Sequence, residues 1–144
     1  MRTVKELLDD KGHEIFSIRP DASVYDAIKV MAEKGVGALI VMDGGQLVGI
    51  LSERDYARKI ILLGRSSKET PVRDIMTSKV VCAHPDRKID ECMAVMTDKR
   101  IRHLPIHDGE KLVGIVSIGD LVKVIIAEQK FVISQLESYI TGGG

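Results

Sequence analysis

The chain writes one unit twice. Setting residues 15–58 over residues 80–123, an ungapped shift of 65, gives fourteen identities in forty-four positions. Pro20/Pro85, Asp21/Asp86, Met31/Met96, Leu39/Leu104, Asp43/Asp108 and Gly44/Gly109 are among them. The densest block sets Leu47-Val48-Gly49-Ile50 over Leu112-Val113-Gly114-Ile115, followed by Ser52/Ser117 and Asp55/Asp120. So many matches in register without a gap mark a tandem duplication, and one fold must serve both copies.

Both copies carry the same signals. A short extended lead-in, Ile15–Ile18 or Val80–Ala83, runs toward a proline, which disfavours helix just before it. Val24, Ala27, Ile28 and Met31, and Ile89, Cys92, Met93 and Met96, then recur at helical spacing. Ser23 suits the N-cap of the first of these helices. Next comes a strand, Ala38–Met42 or His103–Ile106, and an Asp-Gly turn leading into a second strand, Leu47–Leu51 or Leu112–Val116. Asp-Gly between apolar runs is a strong hairpin signal. A helix follows each hairpin. The unit is β-α-β-β-α, and the fold class is α/β with small mixed sheets.

Flanking segments complete the organisation. Thr3-Val4-Lys5-Glu6 fits a capping box opening a short helix within an N-terminal lead-in, 1–14. The repeats occupy 15–63 and 80–127. The connector, 64–79, holds a polar loop and then Thr70-Pro71, read as a cap with proline at the first helical position. From Asp120 no breaker intervenes before Thr141. Leu121, Val124, Ile125, Val132, Leu136 and Ile140 predict a long terminal helix whose extension and glycine tail fill 128–144.

Composition narrows the function. Lys plus Arg and Asp plus Glu both number 21 in 144 residues, leaving no net charge to grip nucleic acid or an anionic membrane. Five aromatic side chains offer little stacking surface for single strands. The longest unbroken apolar stretches, Ala38–Met42 and Cys92–Met96, are far below the ~20 residues of a membrane span. The charged N-terminus has no signal-peptide core, so a cytoplasmic or, at most, organelle-matrix protein is expected. Cys82 and Cys92 are too few for a disulfide framework and read as small buried hydrophobes.

The ending Leu47-Val48-Gly49-Ile50-Leu51-Ser52-Glu53-Arg54-Asp55, matched by Leu112-Val113-Gly114-Ile115-Val116-Ser117-Ile118-Gly119-Asp120, resembles the cystathionine-β-synthase (CBS) domain. Ser17-Ile18-Arg19-Pro20 and Cys82-Ala83-His84-Pro85 match that family's first motif, and Ile101-Arg102-His103-Leu104-Pro105 its middle one. Two such repeats look like a Bateman module. The resemblance covers nearly the whole chain, and Glu53-Arg54-Asp55-Tyr56, Gly64-Arg65-Ser66-Ser67-Lys68 and Tyr139-Ile140-Thr141-Gly142 look like the stand-alone CBS pairs of bacteria and plant organelles. It implies two CBS repeats in pseudo-twofold arrangement and an adenine nucleotide bound in the cleft between them. AMP is the first expectation, with ADP, ATP or NAD(H) next. A homodimer and an unidentified regulated protein are the implied partners.

The nucleotide-binding residues follow from that match. Asp55 and Asp120 hold the ribose hydroxyls in the family pattern, with Ser52 and Ser117 beside ribose or phosphate. Chemistry agrees, because a helix start presents outward N–H groups to an anion. The competing reading of Ser-x-x-Asp is a plain capping box, and the two roles can coexist. Arg102 and His103 stand where the first repeat has Gly37 and Ala38, and similar Arg/His pairs reach phosphate. An Arg fork suits that role because it binds two phosphate oxygens at once. Arg54 is a second phosphate candidate, replaced by Gly119 in the other repeat, so the two sites should differ. Ser17, Cys82, Gly37, Ala38 and Pro105 lie on the lead-in and middle strands, which would sandwich the adenine. The Arg65-Ser66-Ser67-Lys68 loop reads as solvated.

Other chemistries fit poorly. His84, His103, His107 and Cys82 share one repeat, but Pro105 forbids a helical zinc pair, and no metal site is expected. No nucleophile elbow, Walker loop or dinucleotide fingerprint occurs, so no catalysis is expected. The alternative function is a ligand-free dimerisation scaffold of the same fold.

Overall fold

The computed structural model describes residues 2–141. In chain order the elements are α1 (Val4–Lys11), β1 (Ser17–Ile18), α2 (Val24–Lys34), β2 (Ala38–Asp43), β3 (Gln46–Ser52), α3 (Glu53–Tyr56), α4 (Ile89–Lys99), β4 (His103–Asp108), β5 (Lys111–Ser117) and α5 (Ile118–Thr141). A π-helical turn, Ala57–Ile61, continues α3, and a 3-10 turn covers Val72–Asp74. The Gly142–Gly144 tail lies outside the described residues.

The chain divides into two compact units. One is residues 14–81; the other joins the segment up to His13 to residues from Cys82 onward. The segment ahead of each repeat therefore packs on the other repeat. In the first unit Val72 N–H donates to Ala22 O (2.8 Å), Arg73 N–H to Pro20 O (2.9 Å) and Val24 N–H to Thr70 O (2.9 Å). In the second, Val4 N–H donates to Arg87 O (2.8 Å), Lys5 N–H to Pro85 O (2.9 Å) and Ile89 N–H to Arg2 O (2.9 Å). The acceptor and donor positions within the repeats differ by the same shift of 65.

In the first unit β2 pairs antiparallel with β3 and parallel with β1, making a three-stranded sheet. Alternation along β3 sends Leu51 inward, where it joins Val24, Ala27, Met31, Leu39, Val41, Ile60, Val72 and Ile75 in one apolar cluster. Ser23 caps α2 as the sequence predicts, its Oγ accepting from Asp26 N–H at 3.0 Å. Pro71 departs from expectation. It is the extended residue ahead of the 3-10 turn, and Thr70 Oγ1 donates to Ser66 O at 2.6 Å instead of capping.

The second unit repeats this plan with a two-stranded sheet, β4 and β5. Its lead-in, expected as a strand, makes only an isolated parallel bridge between Ala83 and Ile106. Cys82 is consequently exposed, which corrects its reading as a buried hydrophobe; Cys92, on the inner face of α4, is buried. Burial pushes the Cys92 thiol up to about 11. α1 opens with the expected capping box between Thr3 and Glu6, and α5 runs unbroken to Thr141.

The two hairpins share one irregularity. Register shifts between Val41 and Met42, and again between Ile106 and His107, leave Val48 and Val113 as bulged residues. The turns differ. Gly44 and Gly45 both have positive φ, as a type I′ turn requires, whereas only Gly109 does in the second turn, as type II′ requires.

Candidate functional site

Each unit brings its Ser-x-x-Asp motif to the junction of hairpin and helix. In the first, Ala38 pairs with Ser52 across the hairpin, and Glu53 N–H donates to Gly37 O at 3.0 Å. Gly37, Ala38, Ser52, Arg54 and Asp55 thereby converge. Asp55 Oδ2 accepts from Ser52 N–H (3.0 Å) and Ser52 Oγ (3.1 Å), and Asp55 N–H donates back to Ser52 Oγ (3.2 Å). The capping box is thus formed, and it fixes the carboxylate at the helix start. Thr77 Oγ1 and Lys59 Nζ both meet Asp55 Oδ1 at 3.4 Å.

The second unit matches this geometry. His103 pairs with Ser117, and Ile118 N–H donates to Arg102 O at 2.9 Å, so Arg102, His103, Ser117 and Asp120 converge. Ser117 N–H donates to Asp120 Oδ2 (2.8 Å), and Asp120 N–H donates to Ser117 Oγ (3.2 Å). Lys11, from the end of α1, sets its Nζ 2.5 Å from Asp120 Oδ2 and donates to Ile115 O at 2.9 Å. Burial pushes the Asp120 carboxyl up, but the Lys11 ammonium and the Ser117 N–H outweigh it and hold the group below its usual range.

The lead-in residues sit further along the same sheets. Ser17 is exposed on β1 opposite Ile40, two positions up β2 from Ala38. Cys82 precedes Ala83, whose N–H donates to Pro105 O at 3.0 Å. Pro105 itself is buried in β4, while Arg102 is exposed and His103 half-buried.

Three residues at these junctions were not legible as site residues. Lys11 and Thr77 arrive on the exchanged segments, and Lys59 is one turn beyond Asp55. A second alignment, with a shift of 68, sets Val4, Leu7 and Leu8 over Val72, Ile75 and Met76, which marks the two segments as equivalent without placing either at a junction. Among the described residues no group of three or more His, Cys, Asp or Glu side chains could hold a metal ion. His84 instead faces Asp86 and Asp108, each at 3.4 Å. No helix of the described residues is long and apolar enough to cross a membrane.

Comparison with known proteins identifies the fold's family. The CBS domain family matches residues 4–62 and 72–127, and the chain belongs to it. The CBS domain-containing protein CBSX3, mitochondrial, of Arabidopsis thaliana is 47% identical over 150 residues, covering 98% of this chain and 73% of that protein. A solved CBS-domain protein from Burkholderia ambifaria superposes with TM-score 0.86 at 55% identity, over 89% of this chain and 96% of that one. The CBS domain pair of protein MJ0100, solved in complex with 5′-methylthioadenosine and S-adenosyl-L-methionine, superposes with TM-score 0.79 at 25% identity, over 89% and 98% of the two chains.

Proposed function

We propose that this chain is a regulatory CBS pair that binds an adenine nucleotide, AMP first and ADP, ATP or NAD(H) next. The observation that carries the reading is the duplicated Ser-x-x-Asp junction, where Asp55 and Asp120 are held by their own backbone caps at helix starts. A carboxylate whose position is fixed in this way can accept from both hydroxyls of a ribose as Lys59 and Thr77 yield at Asp55, or Lys11 at Asp120, and the preset position favours binding. Ser52 and Ser117 lie beside it for ribose or phosphate, with Arg54, Arg102 and His103 as phosphate ligands. Ser17, Gly37, Ala38, Cys82 and Pro105 line the strands that would receive the base. The adenosine ligands of the MJ0100 pair support this ligand class. Catalysis has no place in the reading. The ligand acts by stabilising one conformation over another, and a regulated protein reads the change. The chain works as a homodimer.

The two junctions are not equivalent, since Lys11 engages Asp120 while Lys59 and Thr77 engage Asp55. Different affinities follow. Calorimetric titration of the full chain with AMP, ATP, NAD and S-adenosylmethionine tests the assignment. Asp55→Asn and Asp120→Asn keep an acceptor for the cap while removing the charge. Each is expected to weaken its own site at least tenfold. Unchanged binding in both variants would leave the motifs as helix caps. Absence of binding by all four ligands favours the scaffold reading.

A further inference from the structure

The last three turns of α5 are a helix without a core. Leu121 and Val124 are buried, but from Gln129 to Glu137 every residue is exposed, as are Tyr139 and Ile140. Phe131, Val132, Ile133, Leu136, Tyr139 and Ile140 place six large apolar side chains in water within ten residues. A segment of about a dozen residues is only marginally helical by itself, so its stability calls for packing. Its apolar residues are also ordered. Val122, Ile126, Gln129, Ile133, Leu136 and Ile140 step by four and three, the seam of a two-helix coiled coil.

We propose that this segment pairs antiparallel with the same segment of a second copy of the chain. The proposal rests on the dimer reading above and assigns it an interface. The flanks of the seam choose both occupant and direction. Beside it on one flank lie Lys130 and Glu137, and on the other Val132 and Tyr139. Antiparallel pairing about a twofold axis between Ser134 and Gln135 stacks Ile133 on the partner's Leu136 and Gln129 on the partner's Ile140. The same register puts Lys130 opposite the partner's Glu137 and Val132 against the partner's Tyr139, each contact occurring twice. The surface is self-complementary in charge and in shape, as a twofold interface requires. A parallel pair would set Lys130 and Glu137 against Ile125 and Val132, losing the charge match.

Sedimentation velocity of the full chain tests this, with far-UV circular dichroism as the control for folding. Ile133 and Leu136 are exposed within the protomer, so Ile133→Glu with Leu136→Glu leaves its core intact. The pair is expected to raise the dimer dissociation constant at least tenfold. Lys130→Glu alone weakens the dimer, and adding Glu137→Lys restores it, which only the antiparallel register predicts. A wild-type chain that is monomeric throughout overturns this interface and the dimer reading together. A dimer indifferent to the Ile133 and Leu136 substitutions overturns the interface while the dimer reading stands. Failure of Glu137→Lys to restore the Lys130→Glu variant overturns the antiparallel register.

Discussion

Leu8 of α1 lies directly over Gly114 of β5: a methyl group added to Gly114 would stand 2.7 Å from Leu8 Cδ2 and 2.8 Å from Cδ1. The partner glycine, Gly49, has Met76 in the same place, 2.6 Å from its Sδ to an added methyl. Each repeat therefore keeps a glycine on its second strand because the exchanged segment rests on it. Ile50 N–H donates to Thr77 O at 3.0 Å, and Thr77 N–H returns a bond to Ile50 O at 2.9 Å. The dipeptide Val-Gly that both repeats carry, Val48-Gly49 and Val113-Gly114, is a packing requirement of that exchange.

Gly114→Ala is expected to destabilise the fold by about 1–3 kcal/mol through overpacking. Adding Leu8→Ala should recover part of that loss, although Leu8→Ala alone costs about 2–5 kcal/mol. Urea unfolding of the three variants completes the cycle. Additive losses would show that Leu8 and Gly114 do not share this space.

Lys11 and Asp120 give the exchange an electrostatic latch. Asp120 ionises more readily in the folded chain than in the unfolded one. Its contribution is therefore complete above the ordinary carboxylate pKa of ~3.9 and is lost as the pH falls through the lowered native value. Lys11→Met should cost about 1 kcal/mol near neutral pH, since both side chains are partly exposed. It should also flatten the acid limb of the stability profile. An acid limb identical to that of the wild type would assign the lowered pKa to the Ser117 cap alone.

His13 reports on the same segment. Its Nδ1 lies 2.8 Å from the carbonyl oxygen of the bulged Val113, and its Nε2 lies 3.1 Å from Asp9 Oδ1. The Val113 carbonyl, then Asp9, favours the protonated ring and raises the pKa above 6.5. The stabilisation is full below the unfolded value and is lost as the pH rises through the native one. Asp9→Asn should lower the His13 midpoint in an NMR titration; an unmoved midpoint leaves the Val113 carbonyl as the sole cause.

The two thiols separate by burial. Cys92 is buried with its thiol pushed up to about 11, so Ellman's reagent should reach Cys82 alone in the folded chain. Desolvation also raises the Cys82 thiol, so that reaction should quicken on the alkaline side. In the proposed function AMP slows it, because Cys82 lines the base site. Two thiols reacting at equal rates would contradict the packing of α4.

Much of this was legible because local chemistry and tertiary role coincide. The hairpin turns, the Ser23 cap, the Thr3 capping box and the breaker-free α5 are each fixed by a few neighbouring residues. The exchange of segments was not legible, since Leu8 and Gly114 are far apart in sequence and only the fold joins them. The Cys82 lead-in has a related cause. An apolar run ahead of a proline supports an extended segment, but in the second unit only Ala83 finds a partner. At the site, Ser52–Asp55 and Ser117–Asp120 could be read as cap or ligand, and the geometry shows the cap made in both units. Lys11 has no local signal, because its position opposite Asp120 depends on the whole of α1 packing on the second repeat.

Native mass spectrometry of the freshly purified chain, followed by titration with AMP, tests the central claim most directly. The account predicts a discrete adduct of adenine-nucleotide mass, on isolation or on titration, that disappears in the chain carrying both Asp55→Asn and Asp120→Asn. A wild-type chain that stays unliganded in excess AMP, ATP, NAD and S-adenosylmethionine, or an adduct that survives both substitutions, would contradict it.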